Sequence, residues 1–245
     1  MSDRAAIVTG ASSGIGLAVA RMLCEEGLAV TLVARRPGTL EGAYEALRGE
    51  GLEVQRVAAD VGSEDDVVRA VAAHREAYGR LDVLLNNAGV GIGAPIGELS
   101  TKRMDVQLNT NLRSLPLFYR EALPMLTAAG AEHRNALVIN SASIAGKQGQ
   151  AWLSIYSATK FGVIGFTEAM NAELGALGIK STALCPAWVD TPMTDFVKAH
   201  VPAEEMIQTA DIVAAVRMLL SLSPGCVVPE IGFRAPGGGA ALQLR

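Results

Sequence analysis

A glycine-rich segment between two apolar runs constrains the fold of this chain more than any other feature of the sequence. Residues 5–9 are apolar, and Gly10, Gly14 and Gly16 follow them in the spacing Gly-x-x-x-Gly-x-Gly. Residues of helical periodicity come next, and a second apolar run covers residues 28–33. This order predicts a β-α-β unit with parallel strands. The glycine spacing alone is weak evidence, because glycine also ends strands and begins turns.

The rest of the chain repeats this alternation. Strands are predicted at residues 5–9, 28–34, 53–58, 83–86, 136–141, 180–184 and 227–231. Helices are predicted at residues 14–27, 39–50, 64–78, 101–128, 152–177 and 209–222. The pattern indicates an α/β fold: a doubly wound Rossmann-type domain with a seven-stranded parallel sheet flanked by helices. With 245 residues, of which 50% are hydrophobic, we expect a single domain over residues 1–245. A disordered tail is expected at residues 237–239.

A tyrosine and a lysine are placed where they can move a proton. Tyr156 and Lys160 lie four residues apart in a predicted helix, and Ser143 lies thirteen residues upstream. At about 4 Å and an effective dielectric constant of about 20, Coulomb attraction to the ammonium is about 4 kcal/mol. That attraction would bring the phenol pKa from about 10 toward neutrality. A surface pair on an amphipathic helix remains the alternative for Tyr-x-x-x-Lys alone.

Together with Asn86-Asn87-Ala88-Gly89 and Asn111, these motifs resemble the short-chain dehydrogenase/reductase family over nearly the whole chain. The resemblance implies a catalytic set of Asn111, Ser143, Tyr156 and Lys160. It implies that Tyr156 donates or accepts the substrate proton and that Ser143 orients the substrate oxygen. It also implies that Lys160 lowers the Tyr156 pKa and holds the cofactor ribose, and that Asn111 positions a water. Ser141 is the rival of Ser143.

The resemblance also implies a nicotinamide dinucleotide at the carboxyl edge of the sheet. The residues expected to contact it are Gly10, Ser12, Ser13, Gly14, Ile15, Gly16, Arg35, Arg36, Asp60, Val61, Asn87, Ala88, Gly89, Tyr156, Lys160, Pro186, Val189 and Thr191. For Asp60, shaping the turn before the next helix is an equal alternative to bordering the adenine ring. A purely structural turn remains an alternative for Gly89.

The end of the second strand indicates NADP rather than NAD. The carboxylate that usually binds the ribose hydroxyls, about 20 residues past the glycine turn, is replaced by Ala34. Arg35 and Arg36 follow, and guanidinium groups pair well with a 2′-phosphate. Ordinary solvated charges are the alternative explanation for the two arginines.

The sequence defines the substrate pocket less closely than it defines the cofactor site. A mostly apolar pocket is expected from Ala94, Pro95, Gln150, Trp152, Trp188, Met193 and Phe196, with residues 193–202 as a lid. Such a pocket favours an uncharged or hydrophobic carbonyl compound or secondary alcohol over a free carboxylate. The alternatives are a 3-oxoacyl-carrier-protein reductase, for which no basic docking patch is evident, and a noncatalytic NADP-binding sensor. The family usually has glycine where this chain has Ala187, which would be strained if the position needs a positive φ.

Composition and charge limit the classes of partner that we expect for this chain. The net charge is −4 without a basic stripe, so nucleic acid is not expected. No apolar stretch reaches the ~18 residues of a membrane span, and the first strand leaves no room for a signal peptide, so we expect a cytoplasmic protein. The three cysteines and three histidines lack metal-ligand spacing, and we expect no metal and surface positions for the histidines. Two long apolar helices favour a homodimer or homotetramer.

Overall fold

A computed structural model of the chain describes residues 3–236. The predicted tail at residues 237–239 lies outside this range. Seven parallel strands form one sheet in the order β3-β2-β1-β4-β5-β6-β7. They are β1 (Arg4–Thr9), β2 (Leu28–Ala34), β3 (Val54–Ala58), β4 (Val83–Asn86), β5 (Ala136–Ser141), β6 (Ile179–Pro186) and β7 (Glu230–Phe233). The predicted doubly wound fold is confirmed.

Helices cover both faces of the sheet, because successive side chains of the buried strands point to opposite faces. They are α1 (Gly14–Glu25), α2 (Pro37–Gly49), α3 (Glu64–Tyr78), α4 (Thr101–Leu108), α5 (Ser114–His133), α6 (Ser154–Leu174) and α7 (Thr209–Ser221). Ala6 and Val8 of β1 belong to the apolar core shared with α1, α2 and α7, whereas Ile7 belongs to the core shared with α3 and α5. None of the helices within residues 3–236 is long and apolar enough to cross a bilayer.

One predicted helix is two helices. The prediction of a continuous helix at residues 101–128 is wrong, because a π-helical turn, Asn109–Arg113, separates α4 from α5. The turn is wider than an α-helical turn, and it contains Asn111, whose side chain hydrogen-bonds to the backbone of Val90. The predicted last strand also begins late, at Glu230 rather than residue 227.

The expectation that all histidines lie at the surface is wrong for His74. Its side chain is fully buried, with Nδ1 2.6 Å from Thr31 Oγ1 and Nε2 2.8 Å from Arg80 O. Burial lowers the pKa of His74 to about 4, so the ring is neutral at pH 7. The two hydrogen bonds explain how a polar ring is tolerated in the core between β2 and α3.

Candidate active site

The carboxyl ends of three strands are joined by side chains at one edge of the sheet. The hydroxyl of Thr9, at the end of β1, accepts hydrogen bonds from the backbone N–H groups of Asn87 and Ala88, at 2.9 and 3.0 Å. Asn87 Nδ2 donates to Thr9 O at 3.1 Å, and Ser141 Oγ donates to Asn87 Oδ1 at 3.2 Å. The predicted contacts Asn87, Ala88 and Gly10 are therefore brought together beside Ser141. The sequence reasoning did not single out Thr9, although its place as the last residue before the glycine turn was a usable signal.

The glycine turn, residues 10–16, presents its backbone at this edge of the sheet, and we call it the glycine cradle. Gly10 and Gly14 have φ values of +66° and +55°, which side chains rarely adopt. A β-carbon at Gly16 would lie only 2.3 Å from Gly10 O, so the turn packs directly on the start of α1. Ser13 begins the helix without capping it through its side chain, and Ser13 is exposed while Ser12 and Ile15 are partly exposed. Free N–H groups at the positive end of a helix suit a pyrophosphate, so these residues fit a dinucleotide.

Arg35 and Arg36 lie at the same edge, beyond the end of β2. Both side chains are exposed, and neither forms a hydrogen bond or ion pair with another residue of the range 3–236. Asp60 behaves differently. Its Oδ1 accepts a hydrogen bond from Gly62 N at 2.9 Å, and its backbone N–H donates to Asp66 Oδ2 at 2.8 Å. Asp60 therefore shapes the turn before α3, while Val61 beside it is buried.

The segment after β6 closes over the glycine turn. Thr191 packs against Gly14, where a β-carbon would lie 3.1 Å from Thr191 Cγ2. Val189 is buried, and its carbonyl accepts a hydrogen bond from Thr194 Oγ1 at 2.5 Å. Ala187 does not have a positive φ, since Arg134 and Trp152 are the non-glycine residues with positive φ in the described part of the chain. Ala187 is therefore not strained by a positive φ, whereas Arg134 and Trp152 have φ values of +54° and +67°.

Tyr156, Ser143 and Lys160 meet where β5 ends and α6 begins. Ser143 Oγ donates to Pro186 O at 3.4 Å and lies near enough to the Tyr156 phenol to lower its pKa. Lys160 Nζ lies 5.5 Å from the centre of the Tyr156 ring and donates a 2.5 Å hydrogen bond to Ser141 O. Ser141 thus contacts Lys160 through its backbone and Asn87 through its hydroxyl, so Ser143 is the serine that faces the phenol.

The pKa values correct one expectation. Burial raises the pKa of the Tyr156 phenol, and the hydrogen bond from Ser143 offsets only part of that effect. Burial also lowers the pKa of Lys160 to about 8. The prediction that the Tyr156 pKa is lowered toward neutrality is not met in this structure, because burial of the phenol raises that pKa. A phenol with a raised pKa keeps its proton at neutral pH.

Asn111 anchors the loop beside this group. Its Nδ2 donates to Val90 O at 2.8 Å and to Thr159 Oγ1 at 3.3 Å, and its Oδ1 accepts from Val90 N at 2.8 Å. These contacts are made to protein, so the Asn111 side chain fixes the loop at Val90. A β-carbon at Gly89 would lie 3.5 Å from Asn111 Oδ1 and 3.8 Å from Lys160 Nζ. Gly89 is therefore close to both residues.

The predicted pocket residues fall into two groups. Ala94 N donates to Trp152 O at 2.8 Å, which joins residues 94–95 to the segment before α6 that also contains Gln150. The rings of Trp188 and Phe196 meet edge to face at 6.0 Å. Met193 and Phe196 are more than half exposed, and Lys198 in the predicted lid is paired with Asp190 and Asp195 at 2.8 Å. The Lys198 ammonium in the predicted lid is therefore already paired with two carboxylates.

Comparisons with known proteins show what the chain as a whole is similar to. The family model described as short chain dehydrogenase matches residues 4–202. A protein of Streptomyces virginiae, provisionally named as the monensin polyketide synthase ketoacyl reductase, is 42% identical over 214 residues, which cover 85% of this chain and 81% of that protein. The structure of a variant actinorhodin polyketide ketoreductase with NADPH has 34% identity, covers 94% of this chain and 95% of that one, and gives a TM-score of 0.85. An alcohol dehydrogenase from the archaeon Thermococcus sibiricus, complexed with 5-hydroxy-NADP, has 28% identity, covers 95% and 97% of the two chains, and also gives 0.85.

Proposed function

The chain belongs to the short-chain dehydrogenase/reductase family of oxidoreductases, and we propose that it reduces a ketone to a secondary alcohol with NADPH, with Tyr156 as the general acid. The observation that carries the proposal is the Tyr156 phenol, which faces the Ser143 hydroxyl and has Lys160 beside its ring. In the reductive direction Tyr156 acts as the proton donor, and a phenol that is protonated at the working pH meets this requirement.

The mechanism divides the work among four side chains. The glycine turn, residues 10–16, would hold a nicotinamide dinucleotide, which would supply the hydride chemistry. Tyr156 holds a proton at Oη and gives it to the carbonyl oxygen, and it accepts a proton in the oxidative direction. Ser143 donates a hydrogen bond that orients this oxygen and stabilises the developing negative charge. Lys160 places a positive charge beside the phenol, and Asn111 positions the loop at Gly89, which lies near Lys160 Nζ.

The cofactor preference for NADP over NAD rests on Arg35 and Arg36. Both guanidinium groups are exposed at the end of β2, and both are without a partner among residues 3–236. Cations at this place attract a 2′-phosphate, and the carboxylate that would repel it is absent at Ala34. The other proposed cofactor contacts lie in the glycine cradle and in the segments that follow β3, β4 and β6.

A ketoacyl compound is the second candidate for the substrate, because relatives named as ketoacyl reductases include one that is 42% identical. A carrier-protein-linked acyl chain would need a basic docking surface, which the scattered charges do not provide. The serine poised against the phenol argues against a binding-only sensor, which would not need that pair. We further propose one catalytic domain, a cytoplasmic location and a homodimer or homotetramer.

The two serines test the assignment of the site. Ser143→Ala removes the proposed oxyanion donor, and we expect kcat for ketone reduction to fall about 100-fold, as when one such donor is lost elsewhere. Ser141→Ala is the matched control, because its backbone carbonyl still accepts from Lys160, and we expect a fall of less than about fivefold. Steady-state oxidation of NADPH measures both. A larger fall in Ser141→Ala would show that the wrong serine was assigned.

A further inference from the structure

The hydroxyl of Thr159 joins two parts of the candidate active site. Its Oγ1 donates to the carbonyl oxygen of Tyr156 at 2.7 Å and accepts from Asn111 Nδ2 at 3.3 Å. Thr159 and Asn111 are both buried, and Lys160 follows Thr159 directly in α6. A buried hydroxyl that donates to one element and accepts from another fixes the two elements to each other. Thr159 therefore connects the π-helical turn to the turn of α6 that carries the phenol.

The turn of α6 that carries Tyr156 needs such a connection. Helix α6 begins at Ser154, so Tyr156 lies in its first turn, where the N–H groups have no intrahelical acceptor. Leu153 stands at the cap position, and its apolar side chain cannot accept from these groups. Ser157 contributes one contact, because its Oγ accepts from Gln150 N at 3.1 Å. The place of this turn in the site therefore depends on contacts made from outside it.

Asn111 extends the connection to the loop that follows β4. The same Nδ2 that donates to Thr159 also donates to Val90 O at 2.8 Å, and Oδ1 accepts from Val90 N at 2.8 Å. The amide thus uses both of its N–H protons and its oxygen on protein groups. A chain of hydrogen bonds runs from Val90 through Asn111 and Thr159 to the backbone of Tyr156.

This chain of hydrogen bonds ends on the backbone of Tyr156 and not on its phenol. Thr159 is therefore not a group that touches a substrate or transfers a proton. Moving the first turn of α6 would nevertheless move the phenol relative to Ser143, which lies outside the helix. Displacement of a reacting group by about 1 Å can lower a rate about 100-fold.

We propose that Thr159 is a positioning residue for the reaction: its hydroxyl holds the turn that carries Tyr156 at a fixed place relative to Asn111 and the loop after β4. This inference rests on the proposed ketone reduction and adds one residue to the group that performs it. The hydroxyl carries this role rather than the size of the side chain. Ser at position 159 should therefore retain the role, and Val should lose it.

Thr167 provides a matched control in the same helix. It is also fully buried, and its Oγ1 donates to Val163 O at 2.7 Å and accepts from Asn140 Nδ2 at 3.0 Å. As at the other threonine, the asparagine Nδ2 has a second acceptor, which here is Tyr119 Oη at 2.9 Å. Replacing either threonine with Val removes the same kinds of hydrogen bond from a buried place. Thr167 lies about two turns further along α6, away from the phenol.

Steady-state reduction of a ketone with NADPH separates positioning from a general loss of stability. Thr159→Val should lower kcat about tenfold and leave KM for NADPH within about threefold, because the turn moves while the glycine cradle does not. Thr159→Ser should restore kcat to within about twofold of the wild-type value, and Thr167→Val should also stay within about twofold. Urea unfolding should show a similar loss of stability in the two Val variants. Thr159→Ala, which also removes the hydroxyl, replaces Thr159→Val if that variant does not fold.

Hydrogen exchange at the Val90 amide gives a readout that does not depend on turnover. This N–H donates to Asn111, so loss of the Thr159 hydroxyl should free Asn111 and speed the exchange about tenfold, as measured by NMR. Thr167→Val should leave the exchange unchanged.

Four results would each overturn the inference: a kcat for Thr159→Val close to the wild-type value, an equal fall in Thr167→Val, no recovery in Thr159→Ser, or unchanged exchange at Val90 in Thr159→Val. Failure of the proposed function looks different. The wild-type protein would then oxidise NADPH with none of a panel of ketones, while the exchange experiment would still decide whether Thr159 holds Asn111 in place.

Discussion

At the scale of single residues, cofactor choice depends on two arginines. The side chains of Arg35 and Arg36 are exposed after β2, and neither guanidinium group has a partner among residues 3–236. We predict that replacing both with Ala lowers kcat/KM for NADPH about 10- to 100-fold, because charge-assisted hydrogen bonds to a phosphate contribute about 1.5–3 kcal/mol. The value for NADH should change less than about threefold. Steady-state kinetics with each cofactor measure the effect, and equal falls for both would contradict the assignment.

His74 links a single buried ring to the stability of the fold. Its folded-state pKa of about 4 lies below the unfolded value near 6.5, so the unfolded chain binds the proton more readily between these values. The free energy of unfolding should therefore fall on acidification through this window, by about 2 kcal/mol from this residue between pH 7 and pH 5.

Urea denaturation at the two pH values measures the His74 contribution. His74→Gln should lose that part of the pH dependence, whereas His200→Gln, at an exposed position, should retain it. Identical pH dependence in the wild-type protein and His74→Gln would show that the ring does not titrate as proposed.

At the scale of elements, the π-helical turn between α4 and α5 positions the loop that follows β4. Asn111 in this turn satisfies both backbone groups of Val90. Asn111→Ala leaves these partly buried groups unpaired, and we predict a loss of about 2–4 kcal/mol in the free energy of unfolding.

Asn109→Ala is the control for Asn111→Ala. It lies in the same turn, but its side chain makes no hydrogen bond with other described residues. We expect a change of less than about 1 kcal/mol, and urea unfolding of both variants measures the difference. Similar losses in the two variants would indicate that the turn itself, not the contact with Val90, is what matters.

The elements that the sequence predicted well are those set by local signals. Helix α3 has the predicted bounds, Glu64–Tyr78, because Ser63 caps its start and Gly79 ends it with φ +71°. Strands β2, β4 and β5 also have their predicted bounds, since buried apolar runs are flanked by turn residues. The π-helical turn was missed because it depends on Asn111 reaching Val90, 21 residues away, and no local preference records that contact.

The candidate active site also contains some features that the sequence predicted and others that depend on long-range packing. The glycine turn could be placed at the site from the strand order, because parallel strands bring their carboxyl ends to one edge, and the family resemblance selected Ser143 and Tyr156. The direction of the Lys160 side chain toward Ser141 O could not, because it depends on how α6 packs on β5. The burial that raises the Tyr156 pKa depends on the same packing.

At the scale of the whole molecule, the exposed apolar residues of α4 and α6 bear on assembly. Leu108 is 39% exposed and Phe161 is 48% exposed. We predict a homodimer or homotetramer of the 25.5 kDa chain through these helices, because burying such side chains favours association. Phe161→Glu should shift the mass measured by light scattering toward the monomer.

Val68→Glu is the control for assembly, since Val68 is 42% exposed but lies on α3. It should leave the mass unchanged. A wild-type protein that is monomeric at all concentrations, or a Phe161→Glu variant of unchanged mass, would contradict the proposed interface.

The account as a whole depends on the Tyr156 phenol as the proton donor, and removing its hydroxyl tests this most directly. Tyr156→Phe keeps the ring and removes the ionisable group. We predict that ketone reduction with NADPH falls about 100-fold or more in kcat, the upper range for a lost general acid being about 10,000-fold. Binding of NADPH, followed by its fluorescence, should stay within about threefold of the wild-type value. A Tyr156→Phe variant that binds NADPH normally and reduces the ketone at close to the wild-type rate would contradict the account.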